Sequence, residues 1–382
     1  DTLSVYGGSQ TLMLRICRWL TQNGIRSAVI CRGADNTEIV DKLRAGGTQI
    51  IPLDVRDTEA AEALFRRLAA EDSELIVVNF IWSYYMDLER LKHITGLRFS
   101  NRVYAIHPDT FKKGGALRFR PLQALVRRSY GKLLRRMNEN GAVNSMDEDV
   151  LSATEQYFGM TLSPKVPLLP LPMFCPERSD ADALMEIGYA SDLLMTASRA
   201  EYPYKGYLLG LPAVFSALKE KHPSLRLEIV AGGEEEDVAL LREKLAALPS
   251  EYQKDITFHN WLDYDALRRE MERCKVFIGM GTSVLDAALA YKPAVAVRYD
   301  TYDVLADGVL SDAPAWITAR ADCRTPAALF LEQLLSMDEA AYRAACRESF
   351  RQVKAHYDID NTMRLLLASK TRDDGCIMTG EQ

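Results

Sequence analysis

The chain has 382 residues, 48% of them hydrophobic, which is enough for two domains with separate cores. Its formal charge is −6 overall, but residues 1–150 carry 22 Lys+Arg against 18 Asp+Glu, so the remainder is strongly acidic. An acidic chain without a recognition motif argues against nucleic acid as a partner. The absence of any apolar run near ~20 residues argues against a membrane-spanning helix.

Strand-like and helix-like segments alternate along the chain. In the first half, 28–30, 49–53, 75–80 and 102–106 read as short buried strands, with helical patterns at about 9–23, 57–70 and 84–93. In the second half the strands are 193–197, 225–230, 256–258, 276–278 and 294–297. Helical patterns at about 211–221, 234–247, 263–274 and 283–291 separate them. Such alternation implies parallel sheets covered on both faces, and two successive series imply two doubly wound domains. Residues 164–182 hold five prolines and read as a stiff connector. The expected division is 1–174, a hinge at 175–182, a second domain at 183–356, a crossover helix at 357–369 and a tail at 370–382. The seven cysteines form no Cys-x-x-Cys pair or metal-ligand spacing, which points to a reducing, cytosolic compartment. The start lacks the charged-then-apolar pattern of a signal peptide.

In open parallel sheets ligands bind outside the carboxyl ends of the strands. The segment SRAEYPYKG at 198–206 follows the strand 193–197 and carries Arg199 and Lys205. Two cations there suit a diphosphate, and equally suit a solvated surface pair. The segment GMGTSVLDAALAYKPAVAV at 279–297 reads as strand, glycines, helix and strand. Gly279 and Gly281 permit close backbone approach, the amides of Thr282 and Ser283 face an anion, and Asp286 accepts from ribose hydroxyls. The competing reading makes Ser283 through Asp286 a capping box, worth ~1 kcal/mol and no function. Near the start, Gly7 and Gly8 precede a helix, which marks either a close approach or a tight turn. His107 ends the strand before Pro108-Asp109 and reads as a hydrogen-bonding group at the same kind of edge, or as structural.

Residues 111–138 hold nine basic residues and no acidic one. Arg127, Arg128, Lys132, Arg135 and Arg136 flank an apolar stripe at helical spacing. This is the pattern of a helix lying on an anionic membrane surface, or of a core helix with a solvated basic rim. Asp180-Ala181-Asp182 fits a metal-binding Asp-x-Asp in form only; lying in the connector, it reads as linker charge.

In order, these segments resemble the group 1 glycosyltransferases. The resemblance runs from GGSQTLMLRICRWLTQNGIRSAVICR through LIVVNFIW and VYAIHPD, GAVNSMDEDVLSATEQYFG and SRAEYPYKG. It continues through LRLEIVAGG, ITFHNWLDYDALRREMERCKVFIG and TSVLDAALAYKPAVAV. It implies the GT-B fold, two Rossmann-like domains facing across a cleft. It also implies sugar transfer from a nucleotide sugar, with retention and no metal or other cofactor. With the basic segment 111–138 added, the expected acceptor is a lipid-linked or oligosaccharide glycan in cell-surface polysaccharide synthesis, and the expected place is peripheral, at the inner face of the plasma membrane. Arg199 and Lys205 then hold the donor diphosphate, Asp286 the ribose, and Gly281, Thr282 and Ser283 the phosphates. Gly7 and Gly8 lie near donor and acceptor, and His107 near the transferred sugar. Three departures stand out. Ile278 occupies the place of the first Glu of the family's Glu-x7-Glu, the strand before Gly7 is nearly absent, and Asn79 replaces a frequent His. The alternatives are a nucleotide-sugar epimerase on the same fold and a non-catalytic binding subunit.

Overall fold

The computed structural model describes residues 3, 8–35, 37–71, 74–80, 82–104, 106, 120–312 and 317–368. The chain divides into two compact units, Asp1–Phe174 with Ile359–Gln382, and Cys175–Asp358.

The first unit alternates α1 (Gly8–Gln22), β1 (Ala28–Cys31), α2 (Thr37–Ala45), β2 (Gln49–Pro52), α3 (Thr58–Glu71), β3 (Ile76–Asn79), α4 (Trp82–Thr95), β4 (Ser100–Val103), α5 (Arg120–Glu139) and α6 (Glu148–Phe158). β1 pairs with β2 and β3 with β4, both in parallel. The ladder continues past β4: Val103 N donates to Ala142 O at 2.9 Å, Ser145 N to Pro167 O at 3.0 Å, and Leu169 N to Ser145 O at 2.7 Å. Where the opening strand is expected, Leu3 is buried and its N–H donates to Gly33 O at 2.8 Å. α6 shows how locally such elements are written. Asp147 caps its start, accepting from Val150 N at 2.7 Å, and Gly159 ends it with φ 64°. Asn79 is buried and donates to Asn101 Oδ1 at 2.7 Å and Arg102 O at 2.8 Å, so it ties β3 to β4.

The second unit runs α7 (Ala181–Ala190), β5 (Leu193–Ala197), α8 (Tyr207–Lys221), β6 (Arg226–Val230), α9 (Glu235–Ala246), α10 (Ser250–Gln253), β7 (Ile256–His259), α11 (Tyr264–Arg273), β8 (Val276–Gly279), α12 (Thr282–Leu289), β9 (Ala294–Val297), β10 (Ala306–Val309), α13 (Ala327–Leu335) and α14 (Glu339–Tyr357). Its sheet has the order β10-β9-β8-β5-β6-β7. All neighbours pair in parallel except β10, which is antiparallel to β9. Helices α8, α9 and α13 bury Leu211, Phe215, Leu241 and Leu331 against Leu227, Ile229, Ile278 and Val295 of the strands. A second cluster joins Leu184 and Met185 of α7 to Tyr342, Cys346 and Phe350 of α14.

The last helix, α15 (Ile359–Ala368), follows α14 directly yet belongs to the first unit. Trp19 of α1 donates its indole N–H to Asp360 at 2.5 Å, and the fully buried Arg102 donates to Leu366 O at 2.6 Å. That guanidinium sits where the helix presents its unpaired carbonyls, the favourable end for a cation. Among the described residues no helix is long and apolar enough to cross a membrane.

Candidate functional site

β5 is buried along its whole length, and the chain leaving it stays tied to its neighbour. Ser198 N donates to Val230 O at 2.9 Å and Ala200 N to Gly232 O at 2.7 Å. Gly233 pairs with Ala200 so closely that a Cβ there would run into the Ala200 carbonyl. Further on, Lys205 N donates to Glu201 O at 2.7 Å, closing one turn. Gly206 then passes under Thr301, where an added Cβ would lie 2.5 Å from the Thr301 carbonyl oxygen. Asp300 N completes the pinning with a 3.0 Å bond to Tyr204 O.

This fixed loop carries two cations in different settings. Arg199 is exposed and donates to Glu201 Oε2 at 3.1 Å. Lys205 is half-buried, and its ammonium is pushed down to about 8 by burial first and by the Arg199 charge second, against the opposing pull of Glu201. The like-charge effect means that the two cations feel one another. A lysine lowered by burial, and further by a second cation, is one whose charge a bound anion would restore.

β8 lies beside β5, with Leu194 opposite Val276 and Met195 opposite Phe277. Only Met280 and Gly281 separate β8 from α12. Gly281 adopts φ 76° and ψ −147°, a region essentially closed to other residues, and its N–H donates to Ile317 O at 2.6 Å. It is the residue before the helix, and as a glycine it has no side chain with which to cap the first turn. The capping-box expectation is therefore corrected. Ser283 is inside the helix, and its hydroxyl donates back to Met280 O at 3.1 Å. Asp286, one turn in, receives a 3.4 Å hydrogen bond from the hydroxyl of Tyr264, the first residue of α11. Trp261, between β7 and α11, is 58% exposed. Ile278 is a fully buried strand residue of the core, so no carboxylate of this connection projects in its place.

Strand order from β7 to β10 reads 3-2-1-4-5-6, and its direction reverses between β5 and β8. The Arg199–Lys205 loop and the uncapped start of α12 leave the carboxyl ends of those two adjacent strands. This is the edge where doubly wound sheets take phosphate-bearing ligands. Sequence reading misses Tyr264, Glu201 and the Ile317 carbonyl as neighbours of this edge; Glu201 stands within the quoted motif, while the other two arrive from distant segments.

Elsewhere, Gly8 opens α1, while Gly7 and His107 lie outside the described residues. Arg127, Arg128, Lys132, Arg135 and Arg136 are all exposed on α5, and Leu134 and Met137 of the same helix are fully buried. Asp180 pairs with Arg178 at 2.7 Å and Asp182 with Arg347 at 2.8 Å, so both carboxylates of the Asp-x-Asp sequence are held in ion pairs.

No protein-family model and no curated protein matches the sequence. Solved structures match its fold. HepE of Anabaena, solved with UDP and glucose, superposes with a TM-score of 0.62 at 13% identity, over 96% of this chain and 97% of its own. A glycosyltransferase from Rickettsia africae gives 0.61 at 13% identity, over 96% and 95%. The fold is GT-B. An α,α-trehalose-phosphate synthase (UDP-forming) from Burkholderia vietnamiensis shares it with a TM-score of 0.54 at 13% identity, over 86% and 75%. The GT-B likeness spans nearly the full length of the first two structures.

Proposed function

We propose that the chain is a glycosyltransferase that moves a sugar from a nucleotide sugar to a glycan acceptor without a metal. The observation that carries this reading is the pairing of Arg199 and Lys205 with the uncapped start of α12 at the point where strand order reverses. A departing nucleoside diphosphate gathers negative charge on its β-phosphate. Two fixed cations and the first amides of a helix, held in place beforehand, stabilise that charge without reorganising. Asp286 and Tyr264 stand on the nucleoside side, where a carboxylate accepts from ribose hydroxyls and the nearby Trp261 offers a face for a base. His107 is assigned to the transferred sugar, with Gly7 and Gly8 beside donor and acceptor, on the resemblance of their segments alone. Retention rests on the same resemblance, and a lipid-linked acceptor rests on the basic segment 111–138.

Calorimetry with UDP, GDP, ADP and dTDP, on the wild type and on the Arg199→Ala/Lys205→Ala double variant, tests the reading. One of the four is expected to bind the wild type and none the variant; equal affinity in both proteins, or none in either, contradicts it. Incubation with the matching nucleotide sugar and no acceptor separates transfer from epimerisation, because an epimerase turns the donor over alone.

Asp286→Ala is expected to weaken nucleotide binding about tenfold, the value of one charge-assisted hydrogen bond. The melting temperature is measured alongside, because Asp286 also accepts the Tyr264 hydroxyl and so links α12 to α11. Loss of stability without loss of affinity would return the residue to a purely structural role.

The exposed row on α5 is assigned to an anionic membrane surface. At roughly 1 kcal/mol per basic residue near such a surface, reversing Arg127, Arg128, Arg135 and Arg136 to Glu should abolish co-sedimentation with phosphatidylserine vesicles. Unchanged sedimentation would make the row a solvated rim.

A further inference from the structure

Glu201 sits inside the cation pair. Its carboxylate oxygen is 3.1 Å from Arg199 Nη2, and the turn closed by Lys205 N to Glu201 O places residues 201 and 205 one turn apart. Its side chain is 33% exposed, so water screens its charge less than it would at an open surface. A diphosphate entering between Arg199 and Lys205 therefore meets a carboxylate already engaged with one of them.

The same two connections offer a sugar one carboxylate beside several hydroxyls. In residues 198–206 and 280–283, Glu201 is the single acidic residue. Met280 is buried, Gly281 has no side chain, and the Ser283 hydroxyl is committed to Met280 O. The donor's sugar is bonded to the distal phosphate, so it lies within one linkage of whatever the cations hold. A carboxylate presents several acceptor sites, which suits neighbouring hydroxyls.

We infer that Glu201 is a built-in counter-ion that works against bare nucleoside diphosphate and, once displaced from Arg199, accepts hydrogen bonds from hydroxyls of the donor's sugar. Glu201 thereby determines that the site prefers the sugar-bearing donor and sheds the nucleotide product. This inference rests on the donor-site reading of Arg199 and Lys205.

The test compares UDP with UDP-glucose, and likewise the GDP, ADP and dTDP pairs, by calorimetry on wild type, Glu201→Gln and Glu201→Asp, with melting curves for each protein. Wild type is expected to favour the sugar-bearing member. Glu201→Gln, nearly isosteric and uncharged, should bind the bare diphosphate about tenfold tighter, as expected when a like charge is removed from beside an anion. It should lose the preference, which Glu201→Asp should retain in part. A ratio of the two affinities that moves less than about threefold between wild type and Glu201→Gln overturns the inference while leaving the donor site standing. Failure of the wild type to bind any of the eight ligands removes the donor-site reading itself, and this inference with it.

Discussion

Replacing Lys205 by methionine is expected to raise the melting temperature and remove nucleotide binding in a single step. The ammonium is held half-buried beside a second cation, which lowers it from an ordinary 10.5 to about 8. A lysine lowered on folding opposes the folded state wherever it is charged. The penalty is present in full below about pH 8, shrinks as pH rises from there toward 10.5, and vanishes above. At neutral pH that gap corresponds to roughly 3 kcal/mol, and partial solvent contact reduces what is recovered to on the order of 1–3 kcal/mol. Methionine fills the same space without the charge. Its cost falls on function: each charge-assisted bond to a phosphate is worth about 1.5–3 kcal/mol, and removal of one such donor from a developing anion lowers turnover about 10²–10³-fold. Such opposition between stability and activity is common where a site must hold like charges together.

The same lysine sets a pH dependence. A bound diphosphate raises the ammonium again, so affinity should be flat just below pH 8 and fall as pH climbs past it, because binding then requires uptake of a proton. Affinity at pH 9 should be about tenfold weaker than at pH 7. Lys205→Arg, which stays charged throughout, should flatten that profile while binding less well at neutral pH. A wild-type titration with no break between pH 7 and 9.5 would show that Lys205 does not touch the anion, whereas a stabilised Lys205→Met that still binds nucleotide would place the anion elsewhere.

Much of this site is readable in the sequence because its main parts are local. Arg199 and Lys205 share one loop, and the strand before them, Leu193–Ala197, is a mainly apolar run, interrupted only by Thr196, whose limits are the expected ones. Ala294–Val297 is legible for the same reason. β10 is not: Ala306-Asp307-Gly308-Val309 has no strand signature, and its pairing with β9 creates it. α14 also escapes notice, because its buried stripe includes Ala345, Cys346 and Ser349, residues too small or too polar to mark a period. α8 starts at Tyr207, earlier than expected, because the helix accommodates Pro212 within its length. At the site itself, the hydrogen bond from Tyr264 to Asp286 joins helices 22 residues apart. The Ser283–Asp286 spacing imitates a capping box, and only the backbone of Gly281 shows that the helix begins a residue before Ser283.

That glycine supports the second large effect. Gly281→Ala should cost on the order of 1–3 kcal/mol and reduce nucleotide affinity by at least about tenfold. The cause is not crowding, since a Cβ built there meets nothing within 4 Å. It is the combination of φ 76° with ψ −147°, which an L-residue with a Cβ strongly resists. Alanine must therefore either bear the strain or turn the peptide, and turning it breaks the 2.6 Å bond to Ile317 O and redirects the first amides of α12. Asparagine, which tolerates the left-handed helical region, should not rescue the site, because ψ here lies far from that region. Gly279→Ala gives the contrast: its Cβ would approach Phe277 Cε1 to 2.9 Å, so it should lose stability through packing while the Gly281 turn keeps its shape. Melting curves and nucleotide calorimetry on the three variants separate the cases. If Gly281→Ala kept full affinity, the amides of α12 would not be holding the phosphate, and the clamp would reduce to the two side chains on the neighbouring loop.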